Sequence, residues 1–476
     1  MKTEHAAPSN GTMPEISSVL QAAKKARQAA QKLQTTTLQE RNAVLTGYRD
    51  GLLKFRGDIE AANAADIKAA SAAVATGELS SSLFSRLECT GSKFESLLAG
   101  LDALVYQSDP LGFCDLAREL ADGLELFRVS CPIGVIAVIY EARPEAAVQI
   151  AGLAMKSGNA LILKGGKEAS ASNRAIYEAL KWGLNHAGMP ESAIQLLEGR
   201  EEVAELLSLD TLVDLVIPRG SKSLVQHVKR NTRIPVLGHA DGLCSVYVDA
   251  DADVPQAIHI VKDSKLQYMA ACNAAESLLV HEACLTQFFP DLVAALGPLG
   301  VKFKVDSAAA ACVPPDFARF VEPAKEEDFF LEWLAPVLAV KTVRNVDEAI
   351  AHINAHGSHH TDCIITKNPE TADVFMKGVD SAGVYCNCST RFADGFRYGF
   401  GAEVGVSTER VHARGPVGLD GLVTYKYRLY GQGQAVGDVA DGKVVFTHKT
   451  LKGKNDGTGM DSIEDIADRY AQRLTK

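Results

Sequence analysis

Two doubly wound α/β domains with a small element of alternating strands are what the sequence predicts. Three observations carry this. Short apolar runs alternate with helical patterns from about 134 to 231. The same alternation resumes between 277 and 387. Two further stretches, LELFRVS (124–130) and 422–449, alternate apolar and polar residues as half-buried strands do.

Residues 1–14 are polar, contain Gly and Pro, and read as a flexible tail. Ile16, Val19, Leu20, Ala23 and Ala26 recur at helical spacing. Thr37 and Glu40 form a capping box for a helix carrying Leu38, Leu45, Tyr48 and Leu52, and a further helix carries Phe94, Leu97, Leu98, Leu101 and Val105. GVIAVIY (134–140) is continuously apolar, as a buried parallel strand is, and is followed by a helix opened by Pro144 and closed by Gly158. Strand–helix pairs follow at 160–164 with 169–186, 193–197 with 201–209, and 212–218 with 221–231. A strand at 245–249 and a helix over 253–270 lead to the segment LQYMAACNAAESLLVH, whose Ser277–Val280 reads as a strand. Helices at 283–296, 346–356 and 369–379 then alternate with strands at 336–343, 363–366 and 383–387. Region 388–421 is rich in Gly and Arg, and a long irregular stretch inside a compact domain is often functional. The expected division is a cofactor domain over 15–265, with a 118–131 arm reaching out of it, and a catalytic domain over 266–421. A 422–449 hairpin, paired with the 123–130 arm or with another subunit, serves oligomerisation, and a tail over 450–476 includes an exposed helix at 460–475.

A chain of 476 residues exceeds one ordinary core. The net charge of −10 supplies no basic surplus for nucleic acid. No apolar run reaches membrane-spanning length, and the first residues lack the apolar core of a secretory signal, so the expected compartment is cytoplasmic. The ten cysteines follow no disulfide-framework or zinc-ribbon spacing; Cys386 and Cys388 form a single C-x-C.

Two Gly-rich strand-to-helix turns are candidates for holding a cofactor phosphate, Lys164-Gly165-Gly166-Lys167 and Gly220-Ser221. Such turns expose backbone N–H groups towards an anion, and the two lysines favour the 2′-phosphate of NADP. Either could equally be a plain turn, and neither fits G-x-G-x-x-G. Cys272 stands at a helix-to-strand junction among small residues, Ala270, Ala271, Ala274 and Ala275, with room for a ligand. It is a candidate nucleophile, and Asn273 could help stabilise an oxyanion. His352, His356, His359 and His360 could bind metal or cap a helix end before Gly357; no metal is assigned. Arginines 143, 219, 391, 397, 410 and 414 lie in expected loops, where guanidinium recognises carboxylate or phosphate; about half should be solvated surface.

Several blocks together resemble one family, the gamma-glutamyl phosphate reductases (glutamate-5-semialdehyde dehydrogenases) of the aldehyde dehydrogenase superfamily. The most specific is AIAHINAHGSHHTDCI (349–364), supported by CPIGVIAVIYEARPEAA, SGNALILKGGKEASASN, PVLGHADGLC, AACNAAESLLVH and RFADGFRYGFGAEVGVSTERVHARGPVGLDGL, across about 15–440. The resemblance implies an aldehyde-dehydrogenase-like fold and Cys272 as nucleophile. It implies Glu332, in LEWLAPV, at the nicotinamide ribose, and NADPH-dependent reduction of gamma-glutamyl phosphate to glutamate-5-semialdehyde in proline biosynthesis. Where general aldehyde dehydrogenases carry the glutamate of E-L-G-G, which activates water, Val236-Leu237-Gly238-His239 stands here. Tyr140-Glu141-Ala142 stands where P-W-N supplies an oxyanion asparagine. A reductase of an acyl phosphate needs no hydrolytic base. Arg143, Arg391 and Arg397 are expected to bind substrate. Further expectations are a homo-oligomer and acyl phosphate supplied by a separate glutamate 5-kinase, since no kinase-like segment precedes residue 15. Competing readings are an oxidising aldehyde dehydrogenase and a non-catalytic binder that keeps the fold.

Overall fold

The computed structural model describes residues 17–77, 79, 81–84, 86–199 and 201–451. The expected tail over 1–14 and helix over 460–475 lie outside the described residues.

Helices Ser18–Leu33, Leu38–Lys54, Arg56–Ala75 and Ser92–Tyr106 open the chain. The second begins with the expected capping box: Thr37 Oγ1 accepts from the Glu40 N–H at 3.2 Å, and Glu40 Oε2 accepts from the Thr37 N–H at 2.7 Å. These helices pack with Pro144–Lys156 and Ser170–His186 into one core with a four-stranded parallel sheet. The crossing of Leu38–Lys54 over Ser170–His186 depends on Gly47, where a Cβ would meet the Gly183 carbonyl oxygen at 2.5 Å.

The first sheet runs Ile194–Leu197, Ala160–Gly165, Val135–Tyr140, Leu215–Arg219, with all pairs parallel. Chain order reverses between the last two strands, and the crevice beyond their carboxyl ends is where such sheets take ligands. Tyr140 and Arg219 are register partners there, and the chain continues into Glu141 and Gly220. The second sheet has seven parallel strands in the order Val321–Pro323, Lys302–Val305, Val337–Val343, Ala275–His281, Cys244–Val248, Thr361–Ile365, Gly383–Cys386. Lys302–Val305 and Val321–Pro323 escape sequence reading because they are short and carry exposed polar residues.

Two boundaries differ from expectation. The second sheet begins at Cys244, before the expected division at 265, and helix Val254–Leu266 packs in its core. A buried βα unit carries no local mark of which sheet it joins. Val404, Ala413, Val417, Leu419 and Leu422 return to the first core, so the 388–421 region spans both domains. Helix Val254–Leu266 also ends before 270. The Ala-rich run favours helix, but the chain must turn there to enter Ala275–His281, through bonds from Ala271 N–H to Tyr268 O and Ala274 N–H to Ala271 O.

The expected 422–449 hairpin does not pair with itself. The hairpin is Cys114–Ala121 with Leu124–Pro132; Val423–Tyr430 adds to one edge and Lys449–Thr450 to the other. The expected pairing with the 123–130 arm holds for Val423–Tyr430, which lies antiparallel to Leu124–Pro132. Tyr425, Tyr427 and Leu429 on the outer strand are all more than half exposed.

Candidate active site

Cys272 is half-buried at the amino end of strand Ala275–His281. Its backbone is overlain by Gly242, where a Cβ would come within 2.0 Å of the Cys272 carbonyl oxygen, so only glycine permits this approach. The overlying segment is tied down by Leu243 N–H to Ser358 Oγ at 2.8 Å. Together these contacts bring two imidazoles to the thiol. His239, Cys272 and His360 each present one donor atom within 4.8 Å of the other two.

The two imidazoles are fixed differently. His239 Nδ1 lies 2.8 Å from Val406 O. A carbonyl oxygen only accepts, so Nδ1 carries the proton and Nε2 keeps a lone pair. Burial, with nearby Arg219, holds the His239 pKa below its ordinary value, and the ring is neutral at pH 7. His360 is fully buried, with Nδ1 3.0 Å from Thr361 Oγ1 and Nε2 unpartnered. The rings meet edge to face at 4.9 Å. Cys244 lies beneath, bonding Cys272 O at 3.4 Å, and its thiol is pushed well above the ordinary value by burial. Burial likewise pushes Cys89 up to about 12 and Cys284 up to about 11.

Asn273 sits next to the thiol, but its side chain faces elsewhere. Nδ2 donates to Ala393 O at 2.9 Å, and the Asn273 backbone carbonyl accepts from Thr390 Oγ1 at 2.7 Å. The amide thus pins the 390–393 turn to the nucleophile segment. Any oxyanion donation from Asn273 falls to its backbone.

Four arginines surround the thiol. Arg86, Arg219 and Arg391 lie within electrostatic reach of Cys272, and Arg143 presses on the first two. Burial lowers all three pKa values; Arg143 lowers Arg86 and Arg219 further, and Arg397 lowers Arg391. Among the described residues none of the four makes an ion pair; Arg391 Nε donates to Gln267 Oε1 at 2.9 Å. Like charges gathered without carboxylate partners are the arrangement an anionic ligand satisfies. Arg397 Nη1 donates to Arg391 O at 2.7 Å and so braces the loop. Arg410 and Arg414 both pair with Asp380.

The Gly220-Ser221 turn, and the helix N-terminus that follows the Lys164–Lys167 turn, are bonded from within the protein. At the start of helix Ser170–His186, Asp66 accepts from Ala171 N–H at 3.3 Å and from Ser172 N–H at 2.7 Å. At Gly220-Ser221, Glu141 Oε2 accepts from Ser221 N–H at 2.8 Å. A carboxylate at a helix N-terminus satisfies the free N–H groups there. Lys164 is buried with Nζ on Gly165 O at 2.7 Å; Gly166 is half-buried and Lys167 is exposed beside it. Glu332 reaches the nucleophile: the Gly242 N–H holds its carboxylate beside His239, and burial raises its pKa.

The histidine cluster divides. His352 and His356 stack at 3.9 Å, and His356 Nε2 bonds Glu326 Oε1 at 2.7 Å. His359 Nδ1 lies 2.6 Å from Asp380 O. Only His360 turns to the cysteine. Arg86 was not singled out from sequence, His360 was named only as a possible metal ligand or helix cap, and Arg219 only among the arginines suited to carboxylate or phosphate. His239 ends the segment in which Val236 replaces the hydrolytic glutamate, and that was its one sequence signal.

The aldehyde dehydrogenase family model matches residues 10–311 and 322–405. Gamma-glutamyl phosphate reductase 1 of Synechocystis is 48% identical over 439 residues, covering 92% of this chain and 99% of that protein. The gamma-glutamyl phosphate reductase of Prochlorococcus marinus is 49% identical over 440 residues, covering 92% and 98%. The chain belongs to the gamma-glutamyl phosphate reductase family. The crystal structure of the gamma-glutamyl phosphate reductase from Thermotoga maritima superposes with a TM-score of 0.83 at 38% identity, covering 88% of this chain and all of the other. In this member of the gamma-glutamyl phosphate reductases, Val236 packs against the first core, leaving no carboxylate at its position to activate water.

Proposed function

We propose that the protein reduces L-glutamyl 5-phosphate to glutamate-5-semialdehyde with NADPH, releasing phosphate, through a thioester on Cys272. The single observation that carries this is a half-buried cysteine between two imidazoles, facing arginines that have no carboxylate partner.

His239 Nε2 takes the Cys272 proton, and the thiolate attacks the acyl carbon. The bond to the phosphate oxygen breaks. Arg143, Arg219 and Arg391 hold the departing phosphate or the substrate carboxylate, and His239 returns its proton to the leaving oxygen. Backbone N–H groups at Cys272 and Asn273 are the candidates to receive the developing oxyanion. NADPH, when bound, supplies the hydride that reduces the thioester. The hemithioacetal then collapses to the aldehyde and frees the thiolate, which solvent reprotonates. The donor set fits that cofactor at its two ends. Lys164 and the exposed Lys167, with Gly165 and Gly166, suit the adenosine phosphate; Glu332 suits the nicotinamide ribose. Gly220 and Ser221 would take part only if Glu141 yields its seat.

This reduction is the second step of proline biosynthesis from glutamate, and the semialdehyde then cyclises spontaneously to pyrroline-5-carboxylate. A glutamate 5-kinase supplies the labile acyl phosphate. The exposed face of strand Val423–Tyr430 suits a homo-oligomer contact, and a cytoplasmic location agrees with the finding that no described helix is long and apolar enough to cross a membrane. Replacing Cys272→Ala is expected to lower NADPH oxidation by the acyl phosphate roughly 10⁴-fold or more. Near-normal turnover of the variant would refute the covalent route.

A further inference from the structure

The triad of Cys272, His239 and His360 has a second chemical capacity. Each imidazole has Nδ1 committed, His239 to Val406 O at 2.8 Å and His360 to Thr361 Oγ1 at 3.0 Å. A ring held this way by its other nitrogen is how proteins aim a histidine at a metal. His360 Nε2 is fully buried with no partner, so it has been desolvated without compensation. The three donor atoms already lie within 4.8 Å of one another. A tetrahedral zinc with bonds of about 2.0–2.3 Å needs donors roughly 3.5 Å apart, which rotation of the half-buried Cys272 side chain can approach. Cys–His₂ with one open position is a zinc-type donor set.

We propose that Cys272, His239 and His360 form a three-ligand site for a thiophilic divalent cation of the zinc class, and that its occupancy caps the nucleophile as a reversible inhibitor. Binding replaces the S–H bond of Cys272 with a metal–thiolate bond and releases that proton to solvent; water completes the fourth position. No oxidation state changes. The cation and the acyl substrate compete for the same sulfur, so the inhibition is relieved by substrate and by chelators. This deepens the reading of Cys272 as nucleophile, but metal binding itself requires no turnover.

The probe is cobalt(II), added to the full-length, chelator-treated protein without substrate. One equivalent is expected to produce an intense thiolate-to-cobalt charge-transfer absorption with tetrahedral visible bands. Cys272→Ala is expected to abolish the charge-transfer absorption, and His360→Asn to weaken binding at least tenfold, with circular dichroism confirming that both variants fold. His239→Asn gives the same test should His360→Asn fail to fold. Zinc should displace the cobalt, protect Cys272 from iodoacetamide, and release that protection on adding EDTA. Absence of the absorption in the unaltered protein, or its persistence in Cys272→Ala, would overturn the proposal. A protein that binds cobalt this way but does not reduce the acyl phosphate would refute the proposed function alone; one that reduces it and ignores cobalt would refute the site alone.

Discussion

The two walls of the cleft are built on opposite principles. The wall at the carboxyl ends of the first sheet gathers cations: Arg143 and Arg219 stand there with no carboxylate in salt-bridge contact. The wall at the amino ends of the second sheet carries no such excess. It holds Cys272 and His360, with a neutral His239 laid over them, and beneath them an ion pair that is closed on itself. Lys265 Nζ lies 2.6 Å from Glu276 Oε2, both side chains essentially unexposed, and Glu276 Oε1 accepts from the Leu334 N–H at 3.3 Å. One wall leaves charge unsatisfied for a ligand to neutralise; the other satisfies its charge internally and leaves lone pairs for chemistry. Arg391, tied to Gln267 beside the nucleophile segment, is the one unpaired arginine of the four that the second wall contributes.

Substitutions on each wall should therefore separate kcat from KM. His239→Asn, which can still donate to Val406 O, is expected to lower kcat by roughly 10²–10⁴-fold with little change in KM, read by steady-state NADPH oxidation. Equal losses in KM would move His239 to the binding wall. Glu276→Gln strips the partner from a buried ammonium and is expected to cost about 3–5 kcal/mol in urea unfolding. A second change, Lys265→Met, should recover most of it. A single variant within about 1 kcal/mol of the parent would show that the pair is hydrated. Arg219→Met is expected to raise KM for the acyl phosphate roughly ten- to a hundredfold, the worth of a charged hydrogen bond of about 1.5–3 kcal/mol, with a smaller change in kcat. Relief of repulsion with Arg143 should leave the ligand-free protein no less stable, which a thermal melt checks. Lower stability would mean that Arg219 is a structural residue.

Much of this was legible along the chain. Buried strands such as Val135–Tyr140 read directly because each is apolar on both faces, and the capping box at Thr37 read because its partners are three residues apart. Cys272 was marked by its helix-to-strand junction among small residues and by motif resemblance, while Glu332 came from the resemblance alone and lies beside Gly242 and His239. What failed to read was long-range. His239 and His360 stand far from Cys272 in sequence, and they meet it only because Gly242 lets one loop settle on another. The two Gly-rich turns read only as candidate phosphate seats, and that Asp66 and Glu141 bond the N–H groups beside them is a tertiary fact. The arms at 124–130 and 422–449 showed their alternation and were offered as partners, but the exact register, and the edge position of Lys449–Thr450, are set across the fold. The cluster from His352 to His360 looked uniform in sequence and divides between a stacked pair, a loop anchor and one catalytic neighbour.

The acyl-phosphate chemistry is tested most directly in reverse. Pyrroline-5-carboxylate, in equilibrium with its open semialdehyde, is mixed with the enzyme and NADP with and without inorganic phosphate. Cofactor reduction is followed by absorbance. Reduction that requires phosphate, and that disappears in Cys272→Ala, is the expected result. Reduction without phosphate, yielding free glutamate, would mean that water attacks the thioester and would contradict a site in which Val236 replaces the hydrolytic base.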